Sequence, residues 1–267
     1  MSMNEETVLI TGASSGIGLE LARCFAAEPA ADKRRRIILT ARNTAALESL
    51  ATELRRDWKV EVMVLTGDLS FPKTPGEIYA ELAAQKISVD VLVNNAGFGL
   101  HGAFAELPLA RQLEIIQVNI TALTGLTGLF LPGMIGRRRG GVLNVGSVAG
   151  FLPGPNMAVY FASKAFVQSF TEALAEELRA TGLTVTALCP GSTESNFGKI
   201  ARGGKERKIK TAKMSAAVVA RHGHRAFRNG KVIAVPGLQN KFVIQLERIF
   251  PKQAMRKIMG IFNRTMD

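Results

Sequence analysis

The sequence predicts an α/β protein: a doubly wound, mostly parallel, seven-stranded sheet, Rossmann-like, with helices on both faces. Short runs rich in Val, Ile and Leu recur along the 267 residues without clean polar alternation, the mark of strands buried on both faces. Segments of helical periodicity lie between them, and alternation repeated this often implies parallel strands joined by crossovers. Gly, or a Gly-containing turn, closes six of the seven runs.

In order, the strands are TVLITG (7–12), RIILTA (36–41), EVMVLTGD (61–68), VDVLVNNAG (89–97), GVLNVGS (141–147), TVTALCPG (184–191) and KVIAVPG (231–237). The helical segments are 16–27, 44–56, 76–86, 111–131 and 158–180. No repeat, low-complexity tract or linker interrupts them, so residues 1–267 read as one domain. Its 194–213 stretch is expected to be a substrate loop, and 238–267 a basic helical tail.

Composition excludes several alternatives. A hydrophobic content of 47% suffices for a buried sheet, and 21% charged residues argues against disorder. Two cysteines, Cys24 and Cys189, make neither a disulfide framework nor a zinc site and fit a reducing cytoplasm; no metal is expected. The opening MSMNEETVLITG has no secretory-signal pattern. Residues 115–136 carry no charge and precede Arg137, Arg138 and Arg139, which imitates a membrane span. Gln117, Asn119, Pro132, three threonines and four glycines are costly in lipid, so a buried soluble helix is expected there.

The net charge of +12 is unevenly spread. Residues 199–267 hold 17 Lys and Arg against 3 Asp and Glu, while the first 198 residues hold 17 against 19.

In such sheets ligands bind beyond the carboxyl ends of the strands. The first strand runs into Thr11-Gly12-Ala13-Ser14-Ser15-Gly16-Ile17-Gly18 and then an amphipathic helix. Glycines there let backbone amides approach a pyrophosphate, and the helix N-terminus adds partial positive charge. The spacing is G-x-x-x-G-x-G rather than G-x-G-x-x-G. After the second strand stands Arg42, with no acid between Lys33 and Ala46. An acid would suit a ribose 2′-hydroxyl and an arginine suits a 2′-phosphate, so NADP(H) is favoured over NAD(H). Asp68 is placed either to accept from an adenine amino group or to cap the following turn.

TGASSGIG (11–18), NNAG (94–97), Ser147, Tyr160 with Lys164 four residues on, and Pro190-Gly191 together resemble the short-chain dehydrogenase/reductase family, in its order and spacing over residues 7 to 197. The chemistry of the residues agrees. Ser147 ends the fifth strand and should face the cofactor cleft. Tyr160 and Lys164 share one helix face. A free phenol, with pKa near ~10, is a poor base, and an adjacent ammonium is expected to lower it. Tyr160 would then exchange a proton with the substrate oxygen while Ser147 hydrogen-bonds that atom.

The resemblance further implies that Lys164 binds the nicotinamide ribose and that Asn119 is a fourth catalytic member, supporting a water chain. It implies that Asn94 and Asn95 brace strands or touch the adenosine ribose. It also implies that Thr193 and Ser195, after Pro190-Gly191, clasp the nicotinamide carboxamide, with Ser195 standing where the family's threonine is usual. A homodimer or homotetramer, meeting through 111–131 and 158–180, is the implied assembly.

Beyond residue 194, Phe197, Ile200 and the apolar residues of 238–262, among them Leu238, Phe242, Ile244, Phe250, Ile258 and Ile261, are expected to line or cap an apolar pocket. With interleaved cations, 239–264 reads as an amphipathic basic helix or helix pair. A core-packed helix with a solvated basic face is the leading reading. The others are an anionic membrane surface and an acidic substrate such as an acyl thioester. The leading function is hydride transfer between NADP(H) and a carbonyl/alcohol pair, and the alternative is a non-catalytic dinucleotide-binding sensor or subunit. Nucleic-acid binding has only charge in its favour, with no aromatic platform or motif.

Overall fold

The computed structural model describes residues 5–28, 34–204, 213–249 and 252–264. Strand β1 (Glu5–Thr11) leads into helix α1 (Gly16–Ala26), followed by β2 (Arg34–Ala41), α2 (Thr44–Trp58), β3 (Glu61–Thr66), α3 (Thr74–Ala84) and β4 (Val91–Asn94). The second half comprises α4 (Leu109–Ile116), α5 (Leu123–Arg137), β5 (Gly141–Val145), α6 (Ala158–Glu177) and β6 (Thr184–Leu188). It continues through β7 (Thr193–Glu194), α7 (Phe197–Ala201), β8 (Met214–Ser215), α8 (Ala216–Arg228), β9 (Ile233–Ala234), α9 (Leu238–Ile249) and α10 (Lys252–Arg264).

Seven parallel strands form one sheet in the order β3-β2-β1-β4-β5-β6-β9. This is the doubly wound, Rossmann-like sheet the apolar runs predict. The chain reverses its direction of winding between β1 and β4, the topological switch point where such sheets bind ligands. The core strands read as continuous apolar runs because both faces are covered: Val8, Ile10, Val91 and Val93 point into one buried layer, and Leu9, Ile38, Leu92 and Val142 into the other. The last expected strand shrinks to two residues, since only Ile233 and Ala234 find partners, Ala187 and Leu188.

Helix α2 starts where the Asn43 side chain accepts the Ala46 N–H at 3.0 Å, and stops at Lys59 in the left-handed region (φ +55°). The uncharged segment forms one continuous rod, α4 and α5 joined by a π-helical turn over Gln117–Ala122. Its buried stripe, Ile115, Val118, Ala122, Leu126, Phe130 and Met134, packs on the sheet. The basic residues after it are tied to the sheet: Arg139 meets the buried Asp90 carboxylate at 2.5 Å, and Arg137 donates to the Val89 carbonyl at 2.7 Å. A lipid-facing flank would leave them free for headgroups.

The expected 194–213 loop is partly built. Thr193–Glu194 pairs with Met214–Ser215 as a small parallel ribbon, and α7 lies between them. Residues 205–212 and Phe250 lie outside the described residues. Beyond Gly237 the chain forms two helices, α9 and α10. Only part of this tail is core: Ile244, Met255 and Met259 are buried, whereas Leu238, Phe242, Ile258 and Ile261 are exposed.

Candidate active site

The loop after β1 is shaped for a phosphate. Gly12 and Gly16 hold φ of +65° and +59°, a region that favours glycine. A Cβ on Gly12 would stand 2.8 Å from Asn95 Nδ2, and one on Gly18 2.3 Å from the same atom, so neither position admits a side chain. The first turn of α1 carries no acid, and its N-cap residue, Ser15, makes no side-chain cap. Its N-terminal amides are thus uncommitted to side chains and available to an anion. Ser14 lies within this loop. Ile17 packs against the core beneath it. These features fit a dinucleotide pyrophosphate.

Asn95 fixes the loop from β4: its Nδ2 donates to the carbonyls of Thr11 (2.9 Å) and Gly12 (3.1 Å), and its own N–H donates to Thr11 Oγ1. Asn94 braces the sheet, donating to Thr127 Oγ1 at 3.1 Å and to Asn144 Oδ1 at 2.9 Å. Asn144 in turn donates to Thr171 Oγ1 on α6. This buried polar chain from α5 through β4 and β5 to α6 was not anticipated beyond Asn94. Its sequence signal is faint, an Asn in the middle of the apolar run GVLNV.

At the adenosine end, Arg42 is 69% exposed beyond β2 and sits 4.0 Å from the Asp68 carboxylate, so its guanidinium is open to an incoming anion. Asp68 accepts the Ser70 N–H at 2.9 Å, which is the turn-capping alternative.

The catalytic candidates converge beyond β4, β5 and β6. Helix α6 buries Tyr160, Ser163, Lys164, Val167, Thr171 and Leu174, so the candidates Tyr160 and Lys164 occupy the stripe that packs on the sheet. Ser147, two residues beyond β5, accepts the Ala149 N–H at 3.1 Å, donates to the Pro190 carbonyl at 3.4 Å, and lies close enough to the Tyr160 phenol to draw its pKa down. Lys164 Nζ donates to the Val145 carbonyl at 2.7 Å and lies 5.9 Å from the Tyr160 ring centre. Asn119, held in the π-helical turn, grips the Phe98 backbone from both sides, accepting its N–H at 3.1 Å and donating to its carbonyl at 3.0 Å. Its amide also donates to Ser163 Oγ, which donates to the Tyr160 carbonyl at 2.7 Å. Ser163 is therefore a link that the sequence reading missed, although it sits between Tyr160 and Lys164 on the same buried stripe. Asn119 and Lys164 flank one point, standing 3.0 Å and 3.5 Å from where a Gly97 Cβ would be.

The electrostatics differ from the expectation. Burial pushes the Tyr160 phenol up to about 12, opposed by the Ser147 hydrogen bond, and burial pulls Lys164 down to about 8. The lysine does not lower the phenol here because its amine is turned to the Val145 carbonyl and desolvation of the buried ring dominates.

After β6, the Pro190 carbonyl accepts from the Val148 N–H and Thr193 Oγ1 donates to the Gly191 carbonyl. Ser195 stands beside the phosphate loop, its Cβ 3.3 Å from where a Gly16 Cβ would be. Phe197 leans on the Tyr160 ring, 5.0 Å between centres, whereas Ile200 is exposed. Leu100, Phe104, Ile115 and Met157 continue an apolar wall next to Tyr160. Asn240 of α9 closes on Gly191 so tightly that a Cβ there would meet its Oδ1 at 2.3 Å, a contact with no signal in the sequence.

The family described as short chain dehydrogenase matches residues 6–205. Sulfoacetaldehyde reductase 2 of Chromohalobacter salexigens is 40% identical over 203 residues, 75% of this chain and 78% of that protein. A very-long-chain 3-oxoacyl-CoA reductase of Laccaria bicolor is 37% identical over 196 residues, 72% of this chain but only 56% of that protein, so the match spans little more than half of its length. Among solved structures, a short-chain dehydrogenase from Sphingobium yanoikuyae in complex with NADPH superposes with a TM-score of 0.80 at 29% identity, covering 96% and 95% of the two chains. A short chain dehydrogenase/reductase from Burkholderia phymatum in complex with NAD gives 0.78 at 25% identity, covering 92% and 94%.

Proposed function

The chain belongs to the short-chain dehydrogenase family, and from that premise we propose that it is an NADP(H)-dependent oxidoreductase interconverting a moderately apolar carbonyl compound and its alcohol. The observation that carries this reading is the buried Tyr160 phenol set against Ser147 beyond the carboxyl ends of β4, β5 and β6, with Lys164 and Asn119 behind it.

When bound, the nicotinamide would supply or take the hydride. Tyr160 gives its proton to the developing alkoxide. Burial keeps it protonated at neutral pH, so the resting protein already holds the proton that reduction needs. Ser147 donates a hydrogen bond to the same oxygen and fixes the carbonyl. Lys164 stays cationic at neutral pH even with its pKa drawn down to about 8, and returns a proton to Tyr160 with Asn119 anchoring the relay. It also binds the nicotinamide ribose, while Thr193 and Ser195 hold the carboxamide. Arg42 takes the 2′-phosphate: its exposed guanidinium and the absence of an acid on that loop support NADP(H) over NAD(H).

The wall of Phe197, Leu100, Phe104 and Met157 favours an apolar substrate. An oxoacyl thioester is a second reading, supported by the name of the Laccaria bicolor relative and by the cations of residues 199–267. Exposed Leu109, Leu113 and Ile116 on α4 support homo-oligomeric contact through that helix. Two free thiols fit a cytoplasmic setting.

Loss of NADPH absorbance across a panel of ketones, aldehydes and oxoacyl thioesters, with NADH alongside, tests the reading. Tyr160→Phe is expected to lower turnover by about a thousandfold while NADPH binding, followed by fluorescence, stays within about twofold. Retained turnover removes Tyr160 from the chemistry.

A further inference from the structure

Among the described side chains, helices α9 and α10 are buried on one side. Ile244, Met255 and Met259 are buried, while the opposite surface shows Leu238 (82% exposed), Phe242 (64%), Val243, Ile258 and Ile261 (66%). Leu238 and Phe242 are one turn apart on α9, and Ile258 and Ile261 are one turn apart on α10, so each helix presents a one-turn apolar strip. Isolated exposed apolar residues are ordinary; rows of them on consecutive helices are not. Exposed Lys241, Arg256 and Lys257 accompany the strips, and the sequence holds only three acids beyond residue 198.

These helices also lean on the segments that carry the active site. Helix α9 packs against the 3-10 turn Val148–Phe151 that follows Ser147, and its Asn240 closes on Gly191. Gly260 of α10 faces Pro155, in the loop leading to Tyr160. Asn240 and Gly260 thus turn the inner sides of α9 and α10 toward the active-site segments, while the strips lie on their outer sides.

We propose that the exposed strips of α9 and α10, with their neighbouring cations, dock the protein on an anionic phospholipid bilayer. The apolar strips match the acyl boundary and the cations match the headgroups. A symmetric second copy would set the same cations against each other. The inference rests on the tail alone and requires neither cofactor nor turnover.

Co-sedimentation with phosphatidylcholine vesicles, with and without about one-third phosphatidylserine, tests it at low and physiological salt. The full-length protein is expected to bind the anionic vesicles and to release as salt rises. Lys241→Gln with Lys257→Gln should weaken binding by about 25-fold, roughly fivefold per cation. Phe242→Asp with Ile261→Asp should abolish it, with the circular dichroism spectrum and NADPH binding unchanged. Binding that ignores phosphatidylserine overturns the proposal, as does binding that survives Phe242→Asp with Ile261→Asp. So does a wild type that never sediments with vesicles but is dissociated into monomers by the same substitutions, which would make the strips a contact between copies.

Discussion

Replacing Lys164 by methionine should make this protein more stable and inactive at once. The side chain is only 6% exposed, and burial holds its pKa at about 8 against the ordinary 10.5. One pH unit of difference is about 1.4 kcal/mol, so keeping this amine charged costs the fold about 3 kcal/mol at neutral pH. Methionine has similar length and no charge to desolvate. It forfeits the hydrogen bond to the Val145 carbonyl, about 1 kcal/mol, which leaves a net gain of about 2 kcal/mol, several degrees in Tm. The pH dependence follows from the direction of the shift. Below pH 8 the folded and unfolded chains both hold the proton, and the cost is fully present. Between pH 8 and 10.5 the unfolded chain binds more protons than the folded one, so wild-type stability rises through that window. Above it both states are neutral and the advantage of methionine is gone. Urea or thermal unfolding of both proteins at neutral pH and near pH 10.5 reads the difference directly. A methionine variant no more stable than wild type at neutral pH, or an advantage unchanged at high pH, refutes the burial argument. NADPH turnover and affinity, measured on the same samples, should both fall.

Two further substitutions probe the cofactor groove. Arg42→Asp should move preference from NADPH toward NADH by at least tenfold in the ratio of kcat/KM, a change of about 1.4 kcal/mol; an unchanged ratio would show that the exposed guanidinium has no part in recognition. Gly18→Ala places a methyl group 2.3 Å from Asn95 Nδ2 and 2.5 Å from the Gly12 carbonyl. It should cost about 1–3 kcal/mol of stability and weaken NADPH binding through the displaced loop. Unaltered affinity by fluorescence titration would mean that the loop is not the phosphate cradle.

The sheet was readable because every core strand is a run that buries both faces, and periodicity reports burial. The shortening of the last strand to Ile233–Ala234 was not readable, since strand length depends on a partner, and β6 offers only Ala187 and Leu188 to it. The grouping of Ser147, Tyr160 and Lys164 was implied by the family resemblance, and the four-residue step on α6 added the shared face of Tyr160 and Lys164. The direction of the phenol's shift was not, because desolvation depends on what surrounds the ring, and Phe197 arrives from a segment 37 residues away.

Residue type and order thus determined the winding of the sheet, the glycine loop, the four-residue step from Tyr160 to Lys164 and the basic character of the tail. All of these are local periodicities or side-chain chemistries that a chain carries before it folds. Tertiary packing alone decided which partners Asn94 and Asn95 meet, that Ser163 joins Asn119 to Tyr160, and that Asn240 closes on Gly191. A hydrogen bond or a steric contact belongs to two places at once, and which distant partner each group meets is set only when the layers come together.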